Sequence, residues 1–443
     1  MDKKYDTIVV GAGLAGLSCA YYMTSADKKV LVLEAHSYAG GRTSSFCDKG
    51  MKVESGLHRY IGYYSELPKL LNKCGVDIDK MVTWEEKVDI LVKDKNKKVV
   101  LGLAPVSGFK KTVRGLTENQ KSLTTRDKLS LVPFFLCGFS NYLVSYDLDN
   151  YSVTEYADKH HVTENAKRLI LEPLSSGIFF MPPENYSAYC FFGLFAPALA
   201  KFYKMKIGAF LGGMTEIMAN PIVNKIKEQG GDFYFGEPVE TVIEKDGRII
   251  GVRTKGGEEY IAPVTVIAAS LSAARDILMP LKNRIELKAF FSLPCMSACT
   301  MQLELNEPAL KKDITSFGPG TDMVSFAEQS RTTFRNSKGR LSVILGNADE
   351  YTDMSKECAL EAVIRQMNSL GVHLEGNVID ARKVSEKGEF YSLDKGNQLI
   401  RPYQKTGIKG LVLAGDYTRT SSFATMEGAV ISGKKAARVS MKM

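Results

Sequence analysis

The chain has 443 residues, a length at which a single hydrophobic core normally divides, so we expect two domains. Hydrophobic residues make up 44% of the sequence and charged residues 24%, which excludes a wholly disordered chain and a polytopic membrane protein. The formal net charge of +8 comes from scattered lysines and not from a basic stripe with interleaved aromatics, so nucleic acid is not expected as a partner.

The cysteines also limit the class of protein. The eight cysteines are spread along the chain without a CxxC pair, and no secretory signal precedes the first predicted strand. Reduced thiols and a cytoplasmic location are therefore expected. No cluster of His and Cys has the spacing of a zinc site, so the sequence predicts no metal.

A βαβ unit is predicted at the N-terminus. Residues 5–10 form a short apolar run that ends at Gly11, which is typical of a buried parallel strand. Helical spacing follows from Leu14 to about Thr24, and a second apolar run, residues 30–33, ends at Glu34. These elements fit within about thirty residues, the size of a βαβ unit, and imply a parallel sheet.

The turn of this unit has the GxGxxG spacing of a dinucleotide cradle, in Gly11, Ala12, Gly13, Leu14, Ala15 and Gly16. The three glycines are expected to form the tight turn, to let backbone amides approach a pyrophosphate, and to let the helix pack on the sheet. The helix N-terminus favours phosphate anions. Glu34 is placed to accept both ribose hydroxyls of an adenosine, which leaves NAD and FAD as alternatives.

Further along the chain, two kinds of segment alternate. Residues 84–206 mix strands and amphipathic helices without a glycine-rich phosphate loop. Two strands, residues 239–243 and 249–254, flank the hairpin turn Lys245-Asp246-Gly247, and a buried strand is predicted over residues 264–269. A last apolar strand, residues 411–414, runs into Gly415-Asp416. The predicted domains are therefore interleaved.

Two apolar stretches leave alternatives open: residues 129–144 and residues 189–202, each rich in Phe. Neither reaches the 18 apolar residues of a spanning helix. Both are expected as core helices. The alternative is an exposed position, in which they line the entrance for an apolar substrate or rest peripherally on a membrane, with Lys201, Lys204 and Lys206 at the headgroups.

Motifs at both ends of the chain decide between the nucleotides. Leu33-Glu34-Ala35 leads into Gly40-Gly41-Arg42-Thr43, and the chain closes with Leu413-Ala414-Gly415-Asp416-Tyr417 and Thr425-Met426-Glu427-Gly428-Ala429-Val430. In this order, and with Gly212-Gly213-Met214 between them, the motifs resemble the FAD-dependent amine oxidase and phytoene desaturase superfamily. The resemblance implies that the first and last segments assemble one FAD site.

The resemblance also implies a fold: an α/β protein with a Rossmann-like, glutathione reductase-like FAD-binding domain interleaved with an α+β substrate-binding domain. The FAD-binding domain is predicted from residues 1–83, 207–280 and 395–443, and the substrate-binding domain from residues 84–206 and 281–394. Residue by residue, the resemblance implies FAD contacts from the glycine loop and Glu34, and from Ala35, Gly40, Gly41, Arg42, Thr43, Gly56, Leu57, His58, Val239, Gly415, Asp416, Met426 and Ala429.

Departures from the pattern narrow the subfamily. His36 stands where many amine oxidases have Arg, so the resemblance does not imply the phosphate contact of that Arg here. The block Val53-Glu54-Ser55-Gly56-Leu57-His58 looks like that of plant-type phytoene and zeta-carotene desaturases. Thr300 and Thr425 fall where amine oxidases place a lysine near the flavin and an aromatic wall of the amine pocket. Both losses argue against an amine oxidase.

The function implied is an FAD-dependent oxidoreductase that moves a hydride between flavin N5 and an apolar, isoprenoid- or carotenoid-like substrate, with quinone or oxygen as electron acceptor. The alternatives are an amine or protoporphyrinogen oxidase and a non-redox flavin-dependent isomerase. No catalytic residue is assigned; His58, Arg59 and Tyr60 are candidates because they follow Gly56-Leu57. The sequence gives no oligomeric state.

Overall fold

The computed structural model describes residues 4–85, 87–93, 97–102, 122–199, 201 and 204–443. The strands in these residues are, in chain order, β1 (Thr7–Val10), β2 (Val30–Glu34), β3 (Ser45–Asp48), β4 (Met51–Glu54), β5 (Tyr60–Ile61), β6 (Val82–Glu85), β7 (Lys87–Val92), β8 (Lys97–Gly102), β9 (Ile207–Phe210), β10 (Asp232–Phe235), β11 (Val239–Lys245), β12 (Arg248–Thr254), β13 (Glu259–Ile261), β14 (Val264–Ile267), β15 (Cys295–Leu305), β16 (Ser316–Phe317), β17 (Met323–Glu328), β18 (Gly339–Leu345), β19 (Val378–Tyr391) and β20 (Leu411–Leu413).

The helices of the same residues are α1 (Leu14–Thr24), α2 (Glu66–Lys73), α3 (Ile78–Met81), α4 (Thr125–Val144), α5 (Val153–Lys159), α6 (Glu164–Ala166), α7 (Glu172–Phe179), α8 (Ala188–Leu199), α9 (Asn220–Glu228), α10 (Leu271–Ile277), α11 (Lys288–Ser292), α12 (Ala348–Asp353), α13 (Lys356–Ser369) and α14 (Met426–Ser440). Short π segments cover Lys167–Leu171 and Thr215–Ala219, and short 3₁₀ turns cover Asp147–Asn150, Met279–Leu281 and Ile285–Leu287.

A parallel five-stranded sheet has the order β10-β2-β1-β14-β20. Every residue of β1, β2 and β14 is buried, because helices cover the sheet and the strand sequences are apolar. The register pairs Thr7 with Val30 and Val10 with Leu33, so β1 and β2 end side by side. The prediction of an α/β fold with a parallel Rossmann-like sheet is confirmed.

The first and last helices pack directly on each other. A Cβ added to Gly433 of α14 would lie 2.1 Å from the Ala15 backbone oxygen of α1, so only a glycine permits this approach. The Ser18 hydroxyl donates a hydrogen bond of 2.8 Å to the Val430 carbonyl. The two ends of the described chain therefore meet beside the parallel sheet.

The predicted hairpin is present as β11 and β12, which pair antiparallel. Asp246 and Gly247 between them have φ values of 52° and 73°. Two consecutive residues with positive φ form the turn that matches the right-handed twist of a hairpin, which is why an Asp-Gly pair occurs there.

A second, seven-stranded sheet has the order β19-β15-β18-β17-β16-β7-β8. All of its strands lie in residues 84–206 and 281–394, and all strands of the parallel sheet lie in the other predicted segments. The domain boundaries themselves stay a prediction. Helices α4, α5 and α8 pack together around the buried rings of Phe134, Phe191 and Phe192.

The two Phe-rich stretches have different environments. Helix α8 is largely buried, and Phe202 of the second stretch lies outside the described residues. Helix α4 buries Phe134 but exposes Leu129 (65%), Leu136 (68%) and Leu143 (70%), with Val132 and Val144 also exposed. Among the helices described, none is both long enough and apolar enough to cross a bilayer.

Candidate functional site

A cavity of about 710 Å³ begins at the carboxyl ends of β1 and β2 and extends to the face of β15 and β19. This is the edge at which open parallel sheets bind ligands. Residues predicted to contact FAD line it together: Gly11, Gly13, Leu14, Ala15, Glu34, Ala35, Gly40, Gly41, Arg42, Thr43, Gly56, Leu57, His58, Val239, Gly415, Asp416, Met426 and Ala429.

The glycine loop is shaped by close backbone contacts. Gly11 has a φ of 104°, and a Cβ there would lie 2.9 Å from the Ala268 oxygen. A Cβ on Gly16 would lie 1.9 Å from the Gly11 oxygen, so α1 packs against its own loop. Ala12 and Gly16 thus support the loop from behind and do not line the cavity. Helix α1 presents the free N–H groups of its first turn, which contains no acidic side chain.

Glu34 lies at the end of β2, with its side chain held by the loop it faces. One carboxylate oxygen accepts a hydrogen bond of 2.7 Å from the Ala12 N–H, and the other accepts one of 2.9 Å from the His36 N–H. Each oxygen keeps a lone pair for a further donor. Glu34 therefore orients the glycine loop and retains the capacity to accept from two hydroxyls.

Arg42 and Asp416 form an ion pair inside the cavity. The guanidinium Nη2 lies 2.6 Å from the Asp416 carboxylate, and the guanidinium stacks 4.3 Å above the Phe390 ring centroid. Burial lowers the pKa of Arg42, but the Asp416 carboxylate more than offsets this and leaves the pKa raised. The other terminal nitrogen, Nη1, is buried without a hydrogen-bond partner. It is a free donor at the cavity.

His58 lines the cavity with both ring nitrogens directed at the protein. Nε2 lies 2.9 Å from the Arg42 carbonyl, so Nε2 carries the proton and donates it there. Nδ1 lies 3.9 Å from the Glu54 carboxyl, which is fully buried. Burial lowers the pKa of His58 to about 4 and raises the pKa of Glu54 well above its usual range. His58 is therefore a neutral residue that holds the Arg42 backbone.

The other two candidate catalytic residues lie outside the cavity lining. Arg59 forms an ion pair of 2.7 Å with the buried Glu85 and donates to Thr315. Tyr60 is 2% exposed and packs edge-on against Trp84 and other rings. Both side chains contact neighbouring segments of the protein and do not line the cavity.

Several lining residues could not be assigned from motifs. His36 stacks on Tyr38 at 5.2 Å, and Tyr38 stacks on Phe46 at 5.5 Å, which forms an aromatic side of the cavity. The alternation of these rings with small residues was the available signal. Ile178, Phe179 and Phe180 at the end of α7 also line the cavity, whereas no residue of α4 or α8 does.

The sheet side of the cavity combines apolar and polar side chains. Met296, Ala298 and Thr300 alternate along β15, and Val384 and Glu386 lie beside them on β19. Burial and the neighbouring Glu389 raise the pKa of Glu386 to about 7, against the opposing influence of Arg42. Thr300 thus occupies the cavity surface, as its alignment implied.

Helix α14 is fixed at its first turn. The Thr425 hydroxyl accepts a hydrogen bond of 3.0 Å from the Gly428 N–H and caps the helix. Glu427 accepts hydrogen bonds from the backbone of Ser65, Glu66 and Leu67 at the start of α2. These contacts orient the face of α14 that carries Met426 and Ala429 towards the cavity.

Comparison with known proteins agrees with this geometry. The family model described as flavin containing amine oxidoreductase matches residues 14–439. The chain belongs to this family. The flavin containing amine oxidoreductases are oxidoreductases, so the predicted enzyme class is confirmed, and the predicted FAD cofactor agrees with the family. The resemblance drawn from the two ends of the chain is confirmed as well.

Two carotenoid desaturases match the chain over nearly its full length. It is 27% identical over 466 residues to the 15-cis-phytoene desaturase of Synechococcus elongatus, covering 97% of the chain and 94% of the relative. It is 27% identical over 480 residues to the zeta-carotene desaturase of a Synechocystis species, covering 97% and 96%. A solved oxidoreductase from Methanosarcina mazei has the same fold, with a TM-score of 0.75 at 16% identity over 98% and 99% of the two chains. A putrescine oxidase variant has a TM-score of 0.74 at 16% identity over 99% of both chains.

Proposed function

We propose that this flavoprotein is a desaturase or dehydrogenase of an apolar, isoprenoid- or carotenoid-like substrate. The observation that carries the proposal is the likeness to phytoene and zeta-carotene desaturases over 97% of the chain. The apolar side chains of Met296, Ala298 and Val384 on the cavity face of β15 and β19 support it, since they suit a hydrocarbon chain. Thr300 and Thr425 supply neither the lysine nor the aromatic wall of amine oxidases.

The residues present fit FAD. The unpartnered Nη1 of Arg42 is a donor for an anionic oxygen, and a Cβ on Gly13 would meet no atom closer than 4.0 Å, which leaves room beside the loop. We assign the ribose to Glu34, the pyrophosphate to the start of α1, and adenine to the Val239 backbone. Bound FAD supplies the two-electron redox chemistry, and this chain supplies binding, orientation and exclusion of water.

Arg42, Asp416 and His58 act together in this assignment. Asp416 holds the guanidinium, and His58 holds the backbone carbonyl of the same residue. The start of α14, with Met426 and Ala429, places backbone N–H groups and the positive end of a helix dipole at the cavity, where they stabilise negative charge.

The direct test uses the purified, FAD-loaded protein with phytoene or zeta-carotene and a quinone under anaerobic conditions. New conjugated double bonds, read from the product absorbance, with matching quinone reduction are expected. Isomerisation without net quinone reduction would instead establish the isomerase alternative. Peroxide release with amines or a porphyrinogen in air, without desaturation, would establish the oxidase alternative.

We also propose that the enzyme contacts a membrane peripherally through α4, because an apolar substrate partitions into lipid. The exposed side chains Leu129, Val132, Leu136 and Leu143 recur at helical spacing along one face. Tyr146, 55% exposed just beyond the helix, is the kind of amphipathic ring that favours a membrane interface. The formal net charge of +8 favours an anionic surface.

A further inference from the structure

We infer that Thr300 and Glu386 form a polar subsite for a hydroxyl group, so that the preferred substrate is an isoprenoid alcohol and not a pure hydrocarbon. The inference rests on the proposed function, since it concerns the substrate of the same cavity. The inference adds a hydroxyl group to the proposed apolar substrate and names the two residues that recognise this group.

The register of the sheet brings the two side chains together. Thr300 pairs with Val384, and Ala298 pairs with Glu386 on the next rung of the same face. Thr300 and Glu386 are therefore diagonal neighbours, with a separation of roughly 7 Å between their strands' facing positions. One small polar group can contact both.

Neither side chain is hydrogen-bonded to the part of the protein that the structure describes. Among the described residues, neither the Thr300 hydroxyl nor the Glu386 carboxyl makes a hydrogen bond; Thr300 is 5% exposed and Glu386 is half-buried. A buried hydroxyl is normally hydrogen-bonded, so the unpaired Thr300 hydroxyl on the cavity wall indicates a ligand group that pairs with it, and the Glu386 carboxyl lies within reach of the same group. A hydrocarbon in this position would leave both groups desolvated and unsatisfied.

Burial and the neighbouring charges set the protonation state of Glu386. The Arg42 guanidinium stacks on Phe390, whose strand partner is Met296, next to Ala298 on this face. Arg42 lowers the pKa of Glu386, and the Glu389 carboxylate and burial raise it, to about 7. Glu386 is thus present in both protonation states near neutral pH. A hydroxyl, which donates and accepts, matches either state.

The test measures binding to the FAD-loaded enzyme under anaerobic conditions, from the perturbation of the flavin absorbance. The probes are an isoprenoid alcohol, the hydrocarbon of the same chain length and the corresponding primary amine. We expect the alcohol to bind about tenfold more tightly than the hydrocarbon, which corresponds to about 1.4 kcal/mol. Glu386→Leu and Thr300→Val should each reduce this preference to less than about threefold.

Glu386→Gln should keep most of the preference, because an amide also donates and accepts; a merely structural role would show no such rescue. Glu361→Gln, an exposed change on α13, should leave all three affinities unchanged. FAD content and melting temperature identify any variant that fails to fold. If Glu386→Leu fails to fold, Thr300→Val and Glu386→Gln still test the subsite.

Equal binding of alcohol and hydrocarbon to the unmodified enzyme would overturn the subsite, and preference for the amine would overturn it in favour of a cation site. In either case, desaturation of the hydrocarbon would leave the proposed function standing. Binding of none of the isoprenoids would contradict the proposed function itself, and the subsite with it.

Discussion

Arg42 and Asp416 lie 374 positions apart in the chain, yet their side chains are 2.6 Å apart. Asp416 is 4% exposed, so each charge is compensated mainly by the other. Removal of one member of a buried pair leaves the second charge desolvated, which costs more than the pair itself contributes.

Asp416→Ala should therefore lower the unfolding free energy of the apoprotein by about 3 kcal/mol, measured by chemical denaturation. The matched control is Glu259→Ala, which breaks the exposed Arg253–Glu259 pair and should cost less than about 1 kcal/mol. Equal effects of the two substitutions would show that the Arg42 charge finds another partner.

His58 predicts a dependence of stability on pH. Its pKa falls from an ordinary 6.5 to about 4 on folding, so the unfolded chain binds the proton more readily. The stability that His58 contributes is complete above pH 6.5 and is lost as the pH falls towards 4, by up to about 3 kcal/mol. His58→Asn should flatten the stability profile in this window, because an amide side chain does not titrate. The amide still donates a hydrogen bond to the Arg42 carbonyl, so the local structure is kept.

Glu54 has a raised pKa, so its contribution to stability falls as the pH rises above 4.5, opposite to that of His58. The effect of His58 is therefore read from the difference between the stability profiles of the unmodified protein and His58→Asn. His373→Asn replaces an exposed histidine and should leave the profile as it is. An unchanged slope in His58→Asn would mean that folding does not shift the pKa of His58.

Most residues that the motifs predicted as FAD contacts line the cavity, but the motifs gave no pairings between these residues. The glycine loop and Glu34 follow from spacing within one βαβ unit, where local geometry fixes the outcome. The Arg42–Asp416 pair and the Glu54–His58 contact depend on how distant segments pack, which spacing does not encode. Glu386 was missed because its position on the cavity face is set by the register of β15 and β19.

At the scale of elements, periodicity correctly predicted those helices and turns that depend on residues close together in the chain. Helix α1 begins and ends at Leu14 and Thr24, as its pattern indicated, and the Asp246-Gly247 turn closes its hairpin. Helix α4 shows the limit of this reasoning. Its apolar residues surround the helix, so the sequence alone gave no basis for deciding which face is covered.

The exposed face of α4 predicts membrane binding that mutation can remove. Leu136→Glu combined with Leu143→Glu places two carboxylates where an interfacial helix would enter the acyl boundary. Co-sedimentation with anionic lipid vesicles should fall about tenfold or more, while FAD content is retained. Ile261→Glu, an exposed apolar residue on β13, serves as the control and should bind as before. Undiminished binding of the double variant would exclude α4 as the contact.

For the whole molecule, the packing of α1 against α14 holds the site together. Gly433→Val would place its side chain into the Ala15 backbone and separate the two helices. We expect a loss of about 3 kcal/mol in stability and loss of bound FAD, measured by denaturation and by flavin absorbance. Gly256→Val is the control, since a Cβ there lies 3.6 Å from the nearest atom. Retention of FAD by Gly433→Val would show that the cavity tolerates displacement of α14.

The position of β20 and α14 also sets the order of events during synthesis. Ribosomes release the chain from its N-terminus at about 5 to 20 residues per second, so the glycine loop emerges long before Gly415, Asp416, Met426 and Ala429. The glycine loop is therefore synthesised before the residues that face it across the cavity. We expect FAD to be bound stably only after α14 has been synthesised and has packed against α1.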